Sequence, residues 1–344
     1  GAGPAATILD FTGQKGEGEG LLITSSGVVI RDLAVENARG NGIKSKGSDG
    51  ISFVNLRVEW TGGPKATNGA YGVYPVSSSH VLIDRVTVKG ASDAGIYVGQ
   101  SSQIIVRNSR AEQNVAGIEI ENSYNADVHD NVATNNAGGI LVFDLPDLPQ
   151  QGGHSIRVFY TRVVANDHVN LAAPGDIVAG VPSGTGVMVM ANRDVHVFAN
   201  DIKDNQGNAV MIVAYREKFS DKNYNPLPRN IAVRGNRYAN NGGSPAFPGG
   251  AEIAKAVGGT LPPVMWDGVI DYRVPGGAGA TADGGIFVND GPLLSLGLEM
   301  QGRPATEAKP SVSTVLPMVT IGAPPAVVLP AAQEARATAA LASR

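Results

Sequence analysis

Seven side chains in the first half of the chain belong to types that can bind or process a sugar. They are Lys44, Lys46, Tyr74, Tyr97, Glu119, Glu121 and Asp144. A tyrosine ring can stack on a sugar ring, and a lysine or carboxylate can bind hydroxyls, a uronate or a cation. Lys46, Tyr97 and Glu119 are the candidate catalytic residues. In a uronate lyase or epimerase a lysine would neutralise the carboxylate, and Tyr97 would act as acid or base if its pKa were lowered.

These residues also have simpler interpretations. Lysines and glutamates on adjacent strands are common solvated neighbours, and Tyr74 and Tyr97 can pack across strands. Glu119 and Glu121 fit either a Ca²⁺ site or a hydrolytic pair. Ca²⁺ is therefore the one cofactor that the sequence suggests. The five histidines form no cluster with the spacing of metal ligands.

A repeat predicts the elements that position these side chains. A short apolar stretch, opened by Gly in all but the last instance, recurs as GLLI at 20, GIKS at 42, GVYP at 72, GIYV at 95, GIEI at 117, GILV at 139, GVMV at 186 and AVMI at 209. The steps 20 to 42, 95 to 117 and 117 to 139 are each 22 residues long. A second alternating segment follows each one, and a third apolar anchor lies five residues beyond it.

Alternation with period two indicates strands that have one buried face. Strands this short pair with the equivalent strand of the next coil, and such parallel connections are right-handed. The sequence therefore predicts an all-β, right-handed parallel β-helix with three sheets and coils of about 22 residues. Ile96, Val98, Val106 and Ala111 should point into one continuous core.

Two further features follow from this register. An asparagine recurs at one turn in five coils and should form a hydrogen-bonded stack that tolerates left-handed backbone: Asn114, Asn136, Asn166, Asn205 and Asn241. Ile118 points inward, so Ile118→Asp should unfold the middle of the solenoid. Glu119 points outward, and we expect the same change there to leave stability nearly unaltered.

The insertions are concentrated beside the first sheet. The gap from first to second strand grows from the usual 10 residues to 18 after Ile140 and 23 after Val210, and the gap after Val158 grows to 29. We expect a ligand over the first sheet between the coils of Lys44 and Asp144, under loops 61–70 and 143–155. The alternatives are neutral drift of the loops, or loops that fold down on Tyr74, Tyr97 and Met188 and leave no groove.

The chain divides into a solenoid at 1–241, an irregular C-terminal coil or cap at 242–302, and a Pro/Ala-rich extended tail at 303–344. We expect deletion of 305–344 to leave the thermal midpoint unchanged, because the tail has no periodicity. Gly1 falls inside an early coil, and no signal peptide is recognisable. The net charge of −4 argues against nucleic-acid binding, and the prolines within 311–332 argue against a transmembrane helix.

The stretches NGAYGVYPV (68–76), SDAGIYVGQS (92–101), AGIEIENS (116–123) and GGILVFDLPDLP (138–149) resemble bacterial parallel β-helix repeat-containing proteins of the pectate-lyase-like superfold. The resemblance covers roughly residues 1–290. It implies export in Gram-negative bacteria, with a periplasmic or extracellular location. Relatives in the superfold include pectate lyases, alginate lyases, mannuronan epimerases and polygalacturonases, although their motifs are missing here. Asp127-Val128-His129-Asp130 only weakly resembles the DPHD motif of alginate epimerases.

We therefore expect an exported protein that binds or acts on an acidic polysaccharide, by lyase or epimerase chemistry if it is an enzyme. The alternative is a non-enzymatic structural protein of the cell envelope that binds another envelope protein.

Overall fold

The computed structural model describes residues 1–16, 18–269, 285–298, 308–313 and 321–342. Parts of the predicted cap at 242–302 and of the predicted tail at 303–344 lie outside the described residues. The strands, in chain order, are β1 (Ile8–Asp10), β2 (Leu21–Ile23), β3 (Val29–Glu36), β4 (Ile43–Lys46), β5 (Ser52–Glu59), β6 (Val73–Val76), β7 (Ser79–Lys89), β8 (Ala94–Gly99), β9 (Ser102–Arg107), β10 (Arg110–Glu112), β11 (Ala116–Glu121), β12 (Tyr124–His129), β13 (Val132–Thr134), β14 (Gly138–Phe143), β15 (His154–Phe159), β16 (Arg162–Val164), β17 (Thr185–Met190), β18 (Arg193–Phe198), β19 (Asp201–Lys203), β20 (Val210–Val213), β21 (Arg229–Arg234), β22 (Arg237–Ala239), β23 (Val264–Trp266), β24 (Ile286–Val288), β25 (Leu293–Ser295) and β26 (Ser311–Ser313). The helices are α1 (Gly250–Ala256), α2 (Ala331–Ala342) and a short 3-10 helix, Ile177–Gly180.

The first sheet contains one strand from each coil, in the order β2-β4-β6-β8-β11-β14-β17-β20-β23-β25-β26. All its neighbours are parallel except β25 and β26, which pair antiparallel. The parallel ladders therefore continue past residue 241 into the region predicted as a cap.

The second and third strands of the early coils are joined. β3, β5 and β7 each run through both positions and bend at residues with positive φ, namely Asp32 at 61°, Asn55 at 50° and Arg85 at 56°. β7 then pairs with both β9 and β10, and from there the second and third ladders separate. The three-sheet β-helix predicted from the sequence is confirmed, with two of its sheets fused in the first coils.

The repeated glycine has a steric cause. A Cβ atom on Gly117 would lie 2.5 Å from the carbonyl oxygen of Gly139, and one on Gly139 would lie 2.5 Å from that of Gly186. Adjacent coils therefore approach too closely at these two glycines for a larger residue. The predicted core is also confirmed, because Ile96, Val98, Val106 and Ala111 are completely buried in one hydrophobic cluster.

The predicted asparagine stack is confirmed, and its members are joined by side-chain hydrogen bonds. The Asn114 and Asn136 amides donate to the next Oδ1 at 3.1 and 2.9 Å, and Asn166 and Asn205 do so at 3.1 and 3.0 Å. The expectation of left-handed backbone at the stack itself is wrong. The residue before each asparagine has positive φ: Gln113, Asn135, Ala165, Asp204 and Asn240.

The inserted loops cover the C-terminal half of the first sheet. The outward side chains Leu141, Phe143, Met188 and Met211 are buried in a second hydrophobic cluster. The loops contribute Leu145, Val178, Val181, Tyr215, Tyr224 and Leu227 to this cluster. Over this half of the sheet the loops fold down on the outward side chains, including Met188, as the alternative expected.

Residues 321–342 pack along the outer face of the second sheet. Val327, Leu329 and Ala337 form a small cluster with Val54, Leu82 and Ile105 of the sheet. The expectation of an unpacked tail is therefore wrong for this segment. Its apolar contacts are too few and too irregular to produce a recognisable period. Within the described ranges, no helix has the length and apolar character needed to cross a lipid bilayer.

The tail segment is also held by polar contacts. The side chain of Gln333 is 2% exposed, and its Nε2 donates to the Ile51 carbonyl oxygen at 3.2 Å and the His80 carbonyl oxygen at 2.8 Å. Glu334 forms a 2.8 Å ion pair with Arg107. These groups fix the start of α2 against the early coils.

Candidate functional site

A cavity of about 250 Å³ opens on the outer face of the first sheet. Its floor consists of Glu119 and Glu121 on β11, with Asp93 directly before β8 and Tyr71 before β6. Residues 175–178, from the insertion after β16, form its roof. We call this cavity, together with Tyr97 on β8, the acid–tyrosine pocket.

The roof differs from the one expected. Loop 61–70 is held by the Asn68 amide, which donates to the carbonyl oxygen of Gly63 within the loop at 2.9 Å and to that of Gly90 in the next coil at 2.6 Å. Loop 143–155 is held by Asp144, which accepts hydrogen bonds from the amides of Gly152 and Gly153 at 3.2 and 2.8 Å. Burial raises the pKa of Asp144 to about 6. In the structure Asp144 shapes a loop beside the pocket and does not line it.

Tyr97 and Glu121 are joined across the floor of the pocket. The Tyr97 hydroxyl donates to Glu121 Oε1 at 2.6 Å, and both side chains are buried. The strand register places Tyr97 beside Glu119 and Gly99 beside Glu121. A Cβ on Gly99 would lie 2.4 Å from the Tyr97 ring. The missing side chain at Gly99 therefore lets the tyrosine reach diagonally to Glu121.

Glu119 points away from the core but is only 1% exposed. Its Oε2 is buried and accepts no hydrogen bond from the described residues, and the same holds for Asp93 Oδ1. The expectation that substitution of Glu119 would be nearly silent assumed an exposed side chain, and the loop at 175–178 covers this position instead.

Burial and mutual repulsion shift the three carboxyl groups toward the protonated form. Burial, followed by the charges of Glu121 and Asp176, raises the pKa of Asp93 to about 7. Burial likewise raises the pKa of Glu121 to about 7, although hydrogen bonds with Tyr97 and Glu119 oppose the shift. The pKa of Glu119 is raised well above its usual range by burial, then by Asp93 and Glu121. Near neutral pH the pocket can both donate and accept protons.

Three tyrosines pack beside the carboxyl groups. The ring of Tyr71 stacks on Tyr97 with centroids 4.4 Å apart, and Tyr74 meets Tyr97 edge-on at 4.9 Å. Burial, then the charges of Glu121 and Glu119, raises the pKa of Tyr97 above its usual value. This shift is opposite to the lowered pKa that a tyrosine base would need, so Tyr97 acts here as a hydrogen-bond donor.

The two lysines lie on the N-terminal side of the pocket and do not line it. Lys44 Nζ is 3.3 Å from Glu19 Oε1 and 4.8 Å from the centroid of the Tyr74 ring. Lys46 is exposed at the end of β4. Of the residues in the pocket, Tyr97, Glu119 and Glu121 were predicted from the sequence, whereas Tyr71 and Asp93 were not. Both lie just before a first-sheet strand, outside the alternating positions, so periodicity alone gives no signal for them.

Other parts of the described structure offer fewer ionisable groups that could act on a ligand. A larger cavity of about 460 Å³ beside α1 has a single ionisable side chain, Lys255, among the described residues that line it. His129 stacks on Phe159 of the second sheet with ring centroids 4.9 Å apart. In the described part of the chain, no group of three or more His, Cys, Asp or Glu residues is arranged to hold a metal ion.

Comparison with known proteins bears on the fold. Residues 2–147 match the family described as "Right handed beta helix region". No curated protein sequence matches the chain. The A-module of the mannuronan C-5 epimerase AlgE4 from Azotobacter vinelandii is 15% identical, with a TM-score of 0.50 over 71% of this chain and 72% of that one.

Two further solved structures are more distant. The AlgE6 A-module from the same organism is 14% identical, with a TM-score of 0.44 over 70% of this chain and 71% of that one. The pectate lyase Pel9A is 14% identical, with a TM-score of 0.31 over 65% and 68%. At these identities the likeness concerns the fold alone. The chain therefore has the right-handed parallel β-helix fold.

Proposed function

We propose that the protein binds and acts on a polysaccharide in the acid–tyrosine pocket, with its carboxyl groups as proton donor and acceptor. The observation that carries this proposal is the convergence of Asp93, Glu119 and Glu121 in one covered cavity. Buried carboxyl groups are costly for stability, and groups with shifted pKa values cluster at functional sites.

The two glutamates can take different roles. The hydrogen bond from Tyr97 favours the ionised form of Glu121, which makes this residue the base. Glu119 lies deeper and is the acid, since burial and two neighbouring carboxyl groups favour its protonated form. Cleavage of a glycosidic bond requires such a pair, because one carboxyl group protonates the leaving oxygen and the other activates water or attacks the sugar.

The size of the cavity fits about one sugar ring, since sites for larger ligands measure roughly 300–1,000 Å³. Tyr71 supplies an aromatic surface at its edge. The rest of a polysaccharide chain can run along the outer face of the first sheet toward Tyr74 and Lys44. The mannuronan epimerase module with the same fold makes polysaccharides the first substrate class to test.

Lyase or epimerase action on an acidic polysaccharide is the second candidate. Such a reaction needs a positive group at the uronate carboxylate. Lys46, which is exposed, and Lys44, whose Nζ lies over the Tyr74 ring, favour this second candidate. Both lie on the same sheet face as the pocket. They lie two ladder positions from β8, about 10 Å away, and so would bind a neighbouring sugar unit. We also propose that the protein works outside the cytoplasm, as the resemblance to exported proteins implies.

The test is a panel of neutral, uronate-containing and amino polysaccharides incubated with the protein at pH 7. Reducing ends report hydrolysis, and absorbance at about 235 nm reports elimination, since a lyase leaves an unsaturated sugar. Glu119→Gln should lower the rate at least about 100-fold, in the range usual for loss of an acid or base. Asp130→Asn, exposed directly after β12, is the matched control. Binding and turnover of every polysaccharide by Glu119→Gln at parental levels would contradict the proposal.

A further inference from the structure

Among the described residues, none lining the acid–tyrosine pocket carries a positive charge. Its lining contains four carboxyl side chains, Asp93, Glu119, Glu121 and Asp176, and no cationic residue among those that the structure describes. The charged groups that raise the pKa values of its three floor carboxyls are all other carboxyls. The protein therefore gathers negative charge here without neutralising it.

Elsewhere the same fold neutralises buried carboxylates with arginine. Asp127 on the second sheet is 4% exposed and receives two hydrogen bonds from Arg157, at 2.7 and 2.5 Å. Asp84 is 1% exposed and lies 3.3 Å from Arg107. Because the ladders of this solenoid can place an arginine beside a carboxylate, the pocket differs from these two sites in a way that a ligand can explain.

The oxygens left without partners point to the missing group. Glu119 is 1% exposed, lines the cavity, and has its Oε2 without a hydrogen-bond donor among the described residues. Asp93 Oδ1 is buried and likewise accepts no hydrogen bond from them. An ammonium group has three donors and a positive charge, which are what these two carboxylate oxygens lack. The ring of Tyr71, which lines the cavity, adds aromatic surface of the kind that attracts a cation.

We propose that the pocket binds a sugar that carries a free, positively charged amino group, so that the polysaccharide is an amino-sugar polymer whose amines are unacylated. This inference rests on the proposed function, which makes a polysaccharide the ligand. It adds that the sugar unit in the pocket is positively charged. Acetylation would remove the charge and enlarge the group in a cavity of about 250 Å³. A uronate carboxylate would be repelled by the floor.

The experiment compares four tetrasaccharides of equal length by calorimetric titration at pH 7: glucosamine, N-acetylglucosamine, glucose and galacturonate. The glucosamine tetramer should bind at least ten-fold more tightly than the other three and weaken as salt is added. Its binding should release protons, because an ammonium group favours the ionised carboxylates. Repeating the titration in buffers with different heats of ionisation measures this release.

Asp93→Asn combined with Glu119→Gln should lower glucosamine binding at least ten-fold and reduce the proton release. The control Asp130→Asn should alter neither, and far-UV spectra verify that both variants fold. If the acetylated, neutral or acidic tetramer binds equally well or better, the charge inference is wrong although the proposed function stands. If none of the four binds, nor any polysaccharide of the panel, both are wrong.

Discussion

The hydroxyl of Tyr97 reaches Glu121 Oε1 at 2.6 Å, although the strand register makes Glu119 its neighbour. Gly99 permits this diagonal contact, since any side chain there would occupy the position of the tyrosine ring. One hydrogen bond therefore distinguishes two glutamates that lie two residues apart on the same strand, and it favours the ionised form of Glu121.

Tyr97→Phe should raise the pKa of Glu121 above its value of about 7, because the donor that stabilises the carboxylate is removed. Hydrogen bonds to charged groups contribute about 1.5–3 kcal/mol, which corresponds to roughly one to two pKa units. Carboxyl-carbon NMR titration of protein with labelled glutamate measures the shift. Tyr74→Phe is the control, since its ring lies in the same cluster.

Gly99→Ala should shift the pKa of Glu121 in the same direction as Tyr97→Phe, because a Cβ there displaces the tyrosine ring. An unchanged titration of Glu121 in both variants would show that the Tyr97 contact does not govern its ionisation.

Glu121→Gln should stabilise the protein at alkaline pH. The pKa of Glu121 rises from 4.5 to about 7 on folding, so the folded state holds a proton that the unfolded state has lost between those values. Stability from this group is complete below about pH 4.5 and declines as pH rises toward 7. The stability of the variant relative to the parent should therefore increase by about 1–3 kcal/mol between pH 4.5 and pH 8.

Urea unfolding of both proteins at the two pH values measures this difference. The variant Glu252→Gln, on the exposed side of α1, controls for a general effect of losing one acid. A relative stability that stays flat, or falls toward pH 8, would mean that Glu121 is not a destabilising charge in the folded protein.

Deletion of residues 321–344 should lower the thermal midpoint by about 5 °C or more. It removes Val327, Leu329 and Ala337 from their cluster with Leu82 and Ile105. Each buried apolar side chain contributes about 1–3 kcal/mol before the cost of ordering the segment, and about 1 kcal/mol shifts the midpoint by roughly 2–4 °C in a domain of this size.

A finer version of this experiment is Gln333→Ala, which removes the hydrogen bonds to the early coils while the segment remains. Thr338→Ala on the exposed face of α2 is the matched control. A midpoint within 1–2 °C of the parent in the deletion variant would show that the tail does not stabilise the solenoid.

The sequence could predict what repeats and could not predict what occurs once. The core at Ile96 and the asparagine stack recur in coil after coil, so their spacing identifies them. Glu119 occupies an outward position in the same repeat, and its burial depends on how a single insertion folds at 175–178. Gln333 forms hydrogen bonds with residues that lie more than 250 positions earlier in the sequence. No local pattern encodes either contact.

The most direct test of the account is to block the acid–tyrosine pocket chemically. The chain has no cysteine, so Asp176→Cys creates one reactive thiol, exposed in the roof of the pocket. Tyr160→Cys creates another on the second sheet, where the native side chain is 61% exposed. A bulky maleimide at position 176 should reduce saccharide binding at least ten-fold, and the same label at position 160 should leave binding unchanged. Equal binding by both labelled proteins, or a loss only at position 160, would contradict the placement of the site.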